Sequence, residues 1–445
     1  MEARTSSPTT SGGGTDPLIV VTADSHVGPR PAEDLTSYCP AKHRAAWDEW
    51  VKLAEEFRRL QGKYSPISKS KVKRRWLRNL ATDGHWDPHA RLRDMDFDGV
   101  AGEVIFHGSQ NGHFFPFRLP GNDPKDFDIL RMPRPEDPEL AQVGVRMYNR
   151  WLADFVSVSP ERHVGLAYLP VWDIDASIAE VEWAAENGLR GINFPSPQTY
   201  FPEYNKPVWA PFWSAAAAAD MPLTTHIGTV LDVFDYTGPN GFAITNVESA
   251  IFGRRGVTWL LMSGVFARHP NLKLVLTELS GTWWSAAVAE YDSIWRGWRE
   301  VIEETVPELP SHYFERNVFV GASFASRHEV EDAFDGSYSD NCMWGSDYPH
   351  TEGTYQFPES PEDGSNTKLA LRHSFAGLER AKVEAMVGRT AIRVYGMDEH
   401  ALSAVAKRIN APTWDEMNTS LREEEIPQDA GRLYNMAFRR NGVFD

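Results

Sequence analysis

Short, continuous apolar runs alternate along this chain with longer stretches of helical period. The first run, Leu18-Ile19-Val20-Val21-Thr22, leads into Ala23-Asp24-Ser25-His26. Further runs cover residues 100–106, 164–169, 189–194, 222–225, 272–277, 318–321 and 342–346. Val/Ile/Leu-rich segments of this length suit strands buried on both faces, as in a parallel sheet. Residues 138–158, 174–187, 207–220, 248–268, 282–301, 327–334 and 368–395 carry helical periodicity, with Gly188 placed as a C′ residue. Eight strands with helices after most of them predict βαβ units closed into an α/β (β/α)8 TIM barrel. No Gly-rich dinucleotide fingerprint follows the first strand, which argues against an open doubly wound sheet.

The barrel is expected over residues 18–397. Residues 1–17, rich in Ser, Thr, Gly and Pro, read as a flexible tail. Its Ser11-Gly12-Gly13-Gly14-Thr15 segment lacks the strand and lysine of a phosphate loop. Residues 28–95, between the first two strands, read as a helical insertion over the barrel mouth, with Trp47, Trp50, Trp76 and Trp86. Its basic run Lys69, Lys71, Lys73, Arg74, Arg75 suits a solvated helix face or attraction of a carboxylate. Residues 398–445 form a charged extension that wraps the barrel or a second subunit.

Composition narrows the class. The 445 residues carry 45 Lys+Arg against 62 Asp+Glu, a net charge of −17, which speaks against nucleic acid as a partner. Two cysteines, Cys39 and Cys342, fit a reducing cytoplasm better than a disulfide scaffold. No run is long enough to span a membrane, and the first residues lack the apolar core of a signal peptide. Sixteen tryptophans must line a large core, a pocket or an interface. The Trp-bearing insertion and acidic tail predict a homo-oligomer, since exposed aromatics tend to lie in interfaces.

Active sites of such barrels sit at the C-terminal ends of the strands. Asp24 and His26 stand there after the first run, His226 after the fifth, Glu278 after the sixth and Asp347 after the eighth, with His350 three residues on. A buried carboxylate without a partner is costly, so Glu278 and Asp347 call for a cation or a donor nearby. Carboxylates and imidazoles converging on one ring are a ligand set for Zn, Mn or Fe, as one ion or a dinuclear pair. An isolated Asp-x-His recurs by chance, and His226 alone suits a hydrogen-bonded core position; their joint placement at four strand ends makes the site. His107 ends the second run or starts the loop after it, His113 follows, and His85 and His89 beside Trp86 in the insertion are further candidates to reach the mouth. Phe114, Phe115, Phe117, Trp283, Trp284, Tyr348 and Tyr355 are candidates for an apolar wall around a small-molecule substrate, although Trp283 and Trp284 equally suit packing of the helix after the sixth strand.

Asp24-Ser25-His26 with Val27 and Pro29, His226, the acid at 278 and Gly345-Ser346-Asp347-Tyr348-Pro349-His350 together resemble the amidohydrolase superfamily. They are most similar to its decarboxylase-like branch, which contains aminocarboxymuconate semialdehyde decarboxylase. Met95-Asp96-Phe97-Asp98-Gly99-Val100, Asn149-Arg150-Trp151-Leu152, Ser159-Pro160-Glu161-Arg162 and Arg268-His269-Pro270-Asn271-Leu272 carry the resemblance along residues 18–397. The resemblance implies Asp24, His26, His226 and Asp347 as metal ligands. The chain departs from that branch in three places. Asp-x-His replaces His-x-His or Glu-x-His, Gly388-Arg389-Thr390-Ala391 replaces Gly-x-Asn-Ala, and Glu278 stands where a histidine is usual.

A glutamate can bridge two ions where a neutral imidazole cannot, so two chemistries follow. The first is lytic: hydrolysis or nonoxidative decarboxylation of a small organic acid, acting on a water or substrate held by one Zn or Mn. There Asp347 or Glu278 is the general base, and His226 or His350 shuttles the proton. The second is an O2-dependent hydroxylase with a dinuclear non-heme iron site on Asp24, His26, His226, Glu278, Asp347 and His350, as in some relatives of the branch. A barrel that has lost catalysis is the third reading.

Overall fold

A computed structural model describes residues 14–64, 73–119, 135–227, 239–279, 281–427 and 436–439. Its eight strands are β1 Val21–Val27, β2 Gly102–His107, β3 His163–Ala167, β4 Gly191–Asn193, β5 Leu223–His226, β6 Leu274–Thr277, β7 Val318–Ser323 and β8 Cys342–Gly345. They pair in parallel in sequence order. The ends of the sheet meet where Asp347 N donates to Asp24 O (3.0 Å) and His26 N to Tyr348 O (2.6 Å). The expected TIM barrel is the fold.

Alternation along the strands sorts side chains between two cores. Val104, Phe106, Val164, Leu166, Val275, Phe319 and Met343 fill the barrel interior. Ile105, Ala167, Ile192, Leu276, Val320 and Trp344 pack outward against the helices. On β1 the alternation breaks. Thr22 lies opposite Glu103 and Ser25 opposite Ile105, so three steps on β1 match two on β2. This bulge lets Asp24 and His26 turn inward although Val21 and Ala23 already do. Gly345 on β8 makes room for it, since a Cβ there would lie 2.8 Å from that of Asp24.

The helices differ from the sequence expectation mainly in their breaks. The segment expected over 248–268 is divided into Gly241–Gly253, Arg255–Met262 and Val265–Arg268, the last break falling at Gly264, whose φ is 71°. The last helical region, expected over 368–395, is Asn366–Phe375, Arg380–Glu384, a π turn Ala385–Arg389 and Thr390–Tyr395. Among the described residues no helix is long and apolar enough to cross a membrane.

Between β1 and β2 come α1 Arg44–Tyr64, α2 Lys73–Asn79 and α3 Pro88–Asp98. They grip the loops after β2 and β8: Trp76 Nε1 donates to Gln110 O (3.0 Å), and Asn79 Nδ2 to Pro349 O (2.9 Å). Lys69 and Lys71 of the basic run lie outside the described residues. Lys73 and Arg74 are exposed, but Arg75 is buried and donates to the Gly353 and Tyr355 carbonyls, so it is neither solvated nor free for a ligand. Beyond the barrel, helix Glu399–Arg408 packs Leu402, Val405 and Ala406 onto the barrel's interior core.

At the end of α3, Asp98 accepts from Ser365 Oγ (2.7 Å) and Thr367 Oγ1 (2.5 Å). Burial raises its carboxyl to about 7, more than these two hydroxyls lower it. A raised acid contributes stability that is fully present below its unfolded value near 4 and lost as pH rises through about 7. Asp98→Asn cannot titrate, so its melting temperature should gain on the wild type between pH 5 and pH 8. A constant difference across that range in circular-dichroism melts would refute the assignment.

Candidate metal centre

The inward-facing residues at the strand C-termini converge on one space. His26 Nε2 lies 3.2 Å from Asp24 Oδ1 and 3.2 Å from Asp347 Oδ1. His226 Nε2 is 3.6 Å from Asp24 Oδ1 and 3.4 Å from Glu278 Oε2. His350 Nδ1 is 2.9 Å from Asp347 Oδ1 and 3.6 Å from Glu352 Oε1. Three overlapping groups have ligand atoms close enough to share an ion: Asp24/His26/His226, His26/Asp347/His350 and Glu278/Asp347/Glu352. All six residues expected from the sequence are present.

Glu352 is the seventh member and escapes the strand-end pattern. Its place depends on the loop after β8. His350 N donates to Asp347 O and Gly353 N to His350 O, while Thr354 N returns to Ser346 O. A Cβ on Gly353 would sit 2.5 Å from two of these carbonyls. This tight return carries Glu352 back over Asp347, where both carboxylate oxygens accept from Gln110 Nε2 (2.9 and 3.0 Å). The only sequence signal was the spacing His350-Thr351-Glu352 beside a glycine.

The rings are held from behind, as metal-ligating histidines usually are. His26 Nδ1 faces His107 O at 3.2 Å, and His350 Nε2 faces Gly108 O at 2.7 Å. The two rings stack at 3.9 Å between centroids. Asp24 Oδ2 accepts from Ser323 Oγ at 2.5 Å. Below them Arg91 donates to the His26 carbonyl and to Glu103 (2.7 Å), which also meets Ser25 Oγ (2.7 Å) and His163 Nδ1 (2.8 Å). Glu278 and Asp347 have φ of 57° and 54°. Left-handed backbone costs a non-glycine residue about 1 kcal/mol, and such strain gathers at functional sites.

The outlying histidines do not join the set. His85 is buried with Nδ1 on Ser109 Oγ (2.9 Å) and Nε2 facing Asn79 O (3.1 Å); burial lowers it to about 3. His107 contributes its backbone carbonyl, and His113 lies 4.0 Å from Glu55. The aromatic wall is also smaller than expected. Trp284 stacks on Tyr338 in the core, and Tyr348 turns its hydroxyl to Asp94 (2.6 Å). Phe115, 4.7 Å from the Tyr168 ring, does face the mouth.

Burial opposes charge on every group here, and neighbours decide the outcome. It would raise Asp24, but His226 and His26 outweigh it and hold that carboxyl well below the usual range. His350 and Gln110 hold Glu352 at about 2 against the same effect. Burial, then the charges of Asp347, Asp24 and Glu352, push Glu278 well above an ordinary carboxyl. Burial lowers His226. In His26 and His350, facing carboxylates overcome burial and raise the imidazole.

The donor atoms fit a divalent cation. Asp24 Oδ1, His26 Nε2, both Asp347 oxygens and His350 Nδ1 are buried and make no hydrogen bond of ordinary geometry despite their close approach. Buried polar atoms in that state need a partner, and a cation held by the Asp24/His26/His226 or His26/Asp347/His350 group would supply one. The mixed nitrogen and oxygen set is compatible with Zn, Mn or Fe.

Comparison with known proteins agrees. A γ-resorcylate decarboxylase from a Polaromonas species is 25% identical over 237 residues, covering 48% of this chain and 68% of the relative. The 5-carboxyvanillate decarboxylase of Novosphingobium aromaticivorans, solved with manganese and a nitrobenzoic acid, superposes with a TM-score of 0.57 at 17% identity, over 87% of this chain and 98% of that one. A 2,6-dihydroxybenzoate decarboxylase from Rhizobium gives a TM-score of 0.52 at 18% identity, over 86% and 99%. Residues 116–397 match the family profile described as Amidohydrolase, more than half of the sequence. The relatives it resembles are decarboxylases; this chain belongs to the amidohydrolase family and is an enzyme.

Proposed function

We propose that the enzyme removes CO2 without oxidation from a small hydroxylated organic acid held at the strand C-termini. The observation that carries this reading is that Asp24, His26, His226 and Asp347 fall in two donor groups sharing His26 inside a barrel of this family. Those four side chains would hold the ion, which when bound supplies a positive charge for the substrate's oxygens. Decarboxylation replaces the carboxylate on carbon by a proton, and the chain's own groups must deliver it. Asp347 and His350, 2.9 Å apart, form the relay, with Glu352 and the Gly108 carbonyl fixing the imidazole. The γ-resorcylate decarboxylase relative supports an aromatic acid as substrate.

A second reading rests on the third donor group. Glu278, Asp347 and Glu352 add an all-carboxylate cluster to the first ion's ligands, which suits a dinuclear iron centre and O2-dependent hydroxylation with an external reductant. One experiment separates the two. Protein loaded with Zn, Mn or Fe(II) is assayed without oxygen for CO2 release from 2,6-dihydroxybenzoate and 5-carboxyvanillate, alongside metal per chain. Anaerobic, metal-dependent CO2 release supports decarboxylation. Two irons per chain with O2 uptake and a hydroxylated product would replace it with the second reading.

A further inference from the structure

The donor set occupies only part of the ring at the barrel mouth. Following the paired registers around the barrel, and allowing the one-residue climb per strand that a shear of eight imposes, places Tyr168 level with His26, His226, Glu278 and Ser323, with Asn193 and Asp347 each one residue from that level. Parity turns Asn193 inward. Two residues earlier, a Cβ on Gly191 would meet Leu166 and Tyr395, which are interior core residues. Asn193 is 4% exposed, yet neither its amide oxygen nor its nitrogen makes a hydrogen bond of ordinary geometry among the described residues. Its amide interacts with the Tyr168 hydroxyl, which also lies against the His107 backbone. Phe106 packs against the metal ligands, its ring 5.7 Å from His26 and 4.8 Å from His226, and Phe115 covers Tyr168.

We infer that Tyr168 and Asn193 form the substrate's specificity subsite, receiving an uncharged hydroxyl or carbonyl oxygen on a small planar ring. The inference rests on the lytic reading of the same site. A carboxamide and a phenol offer both donors and acceptors but no charge. Among the described residues no lysine or arginine occupies a position in this ring. The substrate's negative charge therefore belongs with the cation, and its neutral oxygen with Tyr168 and Asn193. A buried site built to hydrogen-bond an oxygen rejects the analogue that lacks it, because its own polar groups are then left unpaired.

The test is binding to manganese-loaded full-length protein, followed by tryptophan fluorescence, with 2,6-dihydroxybenzoate and benzoate as probes. Wild type should prefer the hydroxylated ligand by about tenfold or more. Tyr168→Phe and Asn193→Leu should each cut that preference about fivefold, with benzoate affinity and manganese content unchanged. Tyr168→Phe removes a single oxygen, so it remains informative where the larger change impairs folding. Equal weakening of both ligands, no preference in wild type, or loss of manganese from the variants would overturn the subsite. Absence of CO2 release with the hydroxyl preference intact would instead refute decarboxylation and leave the subsite standing.

Discussion

Asp347→Asn and His226→Ala should each purify without bound divalent metal and lose activity by more than about a hundredfold, since even residues behind a metal ligand typically cost ten- to hundredfold. Asp347 is the most connected member of the site: it meets His26, His350 and both other carboxylates of its cluster. Asparagine is the better replacement there, because the backbone at 347 is left-handed and alanine tolerates that poorly. The fold should survive both changes. Each side chain stands at the mouth, past the last core layer, and removing a carboxylate from a crowded acidic cluster relieves repulsion. Inductively coupled plasma measurement after gel filtration, with circular-dichroism melts, checks both halves. Full metal content in the two variants would remove these residues from the ion's ligands.

The features legible in the sequence share one cause. His226, Glu278 and Asp347 each follow an apolar run that can only be a doubly buried strand, so their chemistry had to lie at its end. The same logic located the eight strands. It placed Asp24 and His26 at the end of β1 but not the bulge that turns them inward, because a bulge obeys no hydrophobic period and leaves its mark only in Gly345 on the neighbouring strand. Glu352 and Gln110 were missed because loop return, not periodicity, brings them together. Tyr168 and Asn193 were missed for a different reason: both end strands, but tyrosine and asparagine are not ligand types, and their meaning emerges only from the shear that brings them to within a residue of the histidines' level. Arg75 sits in a charged run yet is buried, since the carbonyls that receive it belong to a loop some 280 residues away.

Chelation should destabilise the protein, and more so as pH rises. Without a cation, Glu278 is forced toward its protonated form by burial and three carboxylates. Its folded pKa is raised, so the stability tied to that proton is fully present below the ordinary carboxyl range near 4.5 and is lost as pH climbs through the folded value. His26 and His350 are raised too and lose their contribution in the same direction. His226 is lowered and opposes them, since an unfolded imidazole takes up its proton below about 6.5 while the folded one resists. Asp24 and Glu352 are depressed, and their contribution is constant above pH 5. Three groups against one leave the metal-free protein weaker at pH 8.5 than at 5.5. In the loaded protein the cation takes over the proton's role at Glu278, and binding at a thousand times Kd adds about 4 kcal/mol. EDTA should therefore lower the melting temperature by at least about 5 °C at pH 8.5 and by clearly less at pH 5.5. Thermal melts with and without chelator at the two pH values decide it. An equal shift at both would mean that Glu278 and the two histidines do not exchange protons for the ion, and Glu278 would then lie outside the metal site.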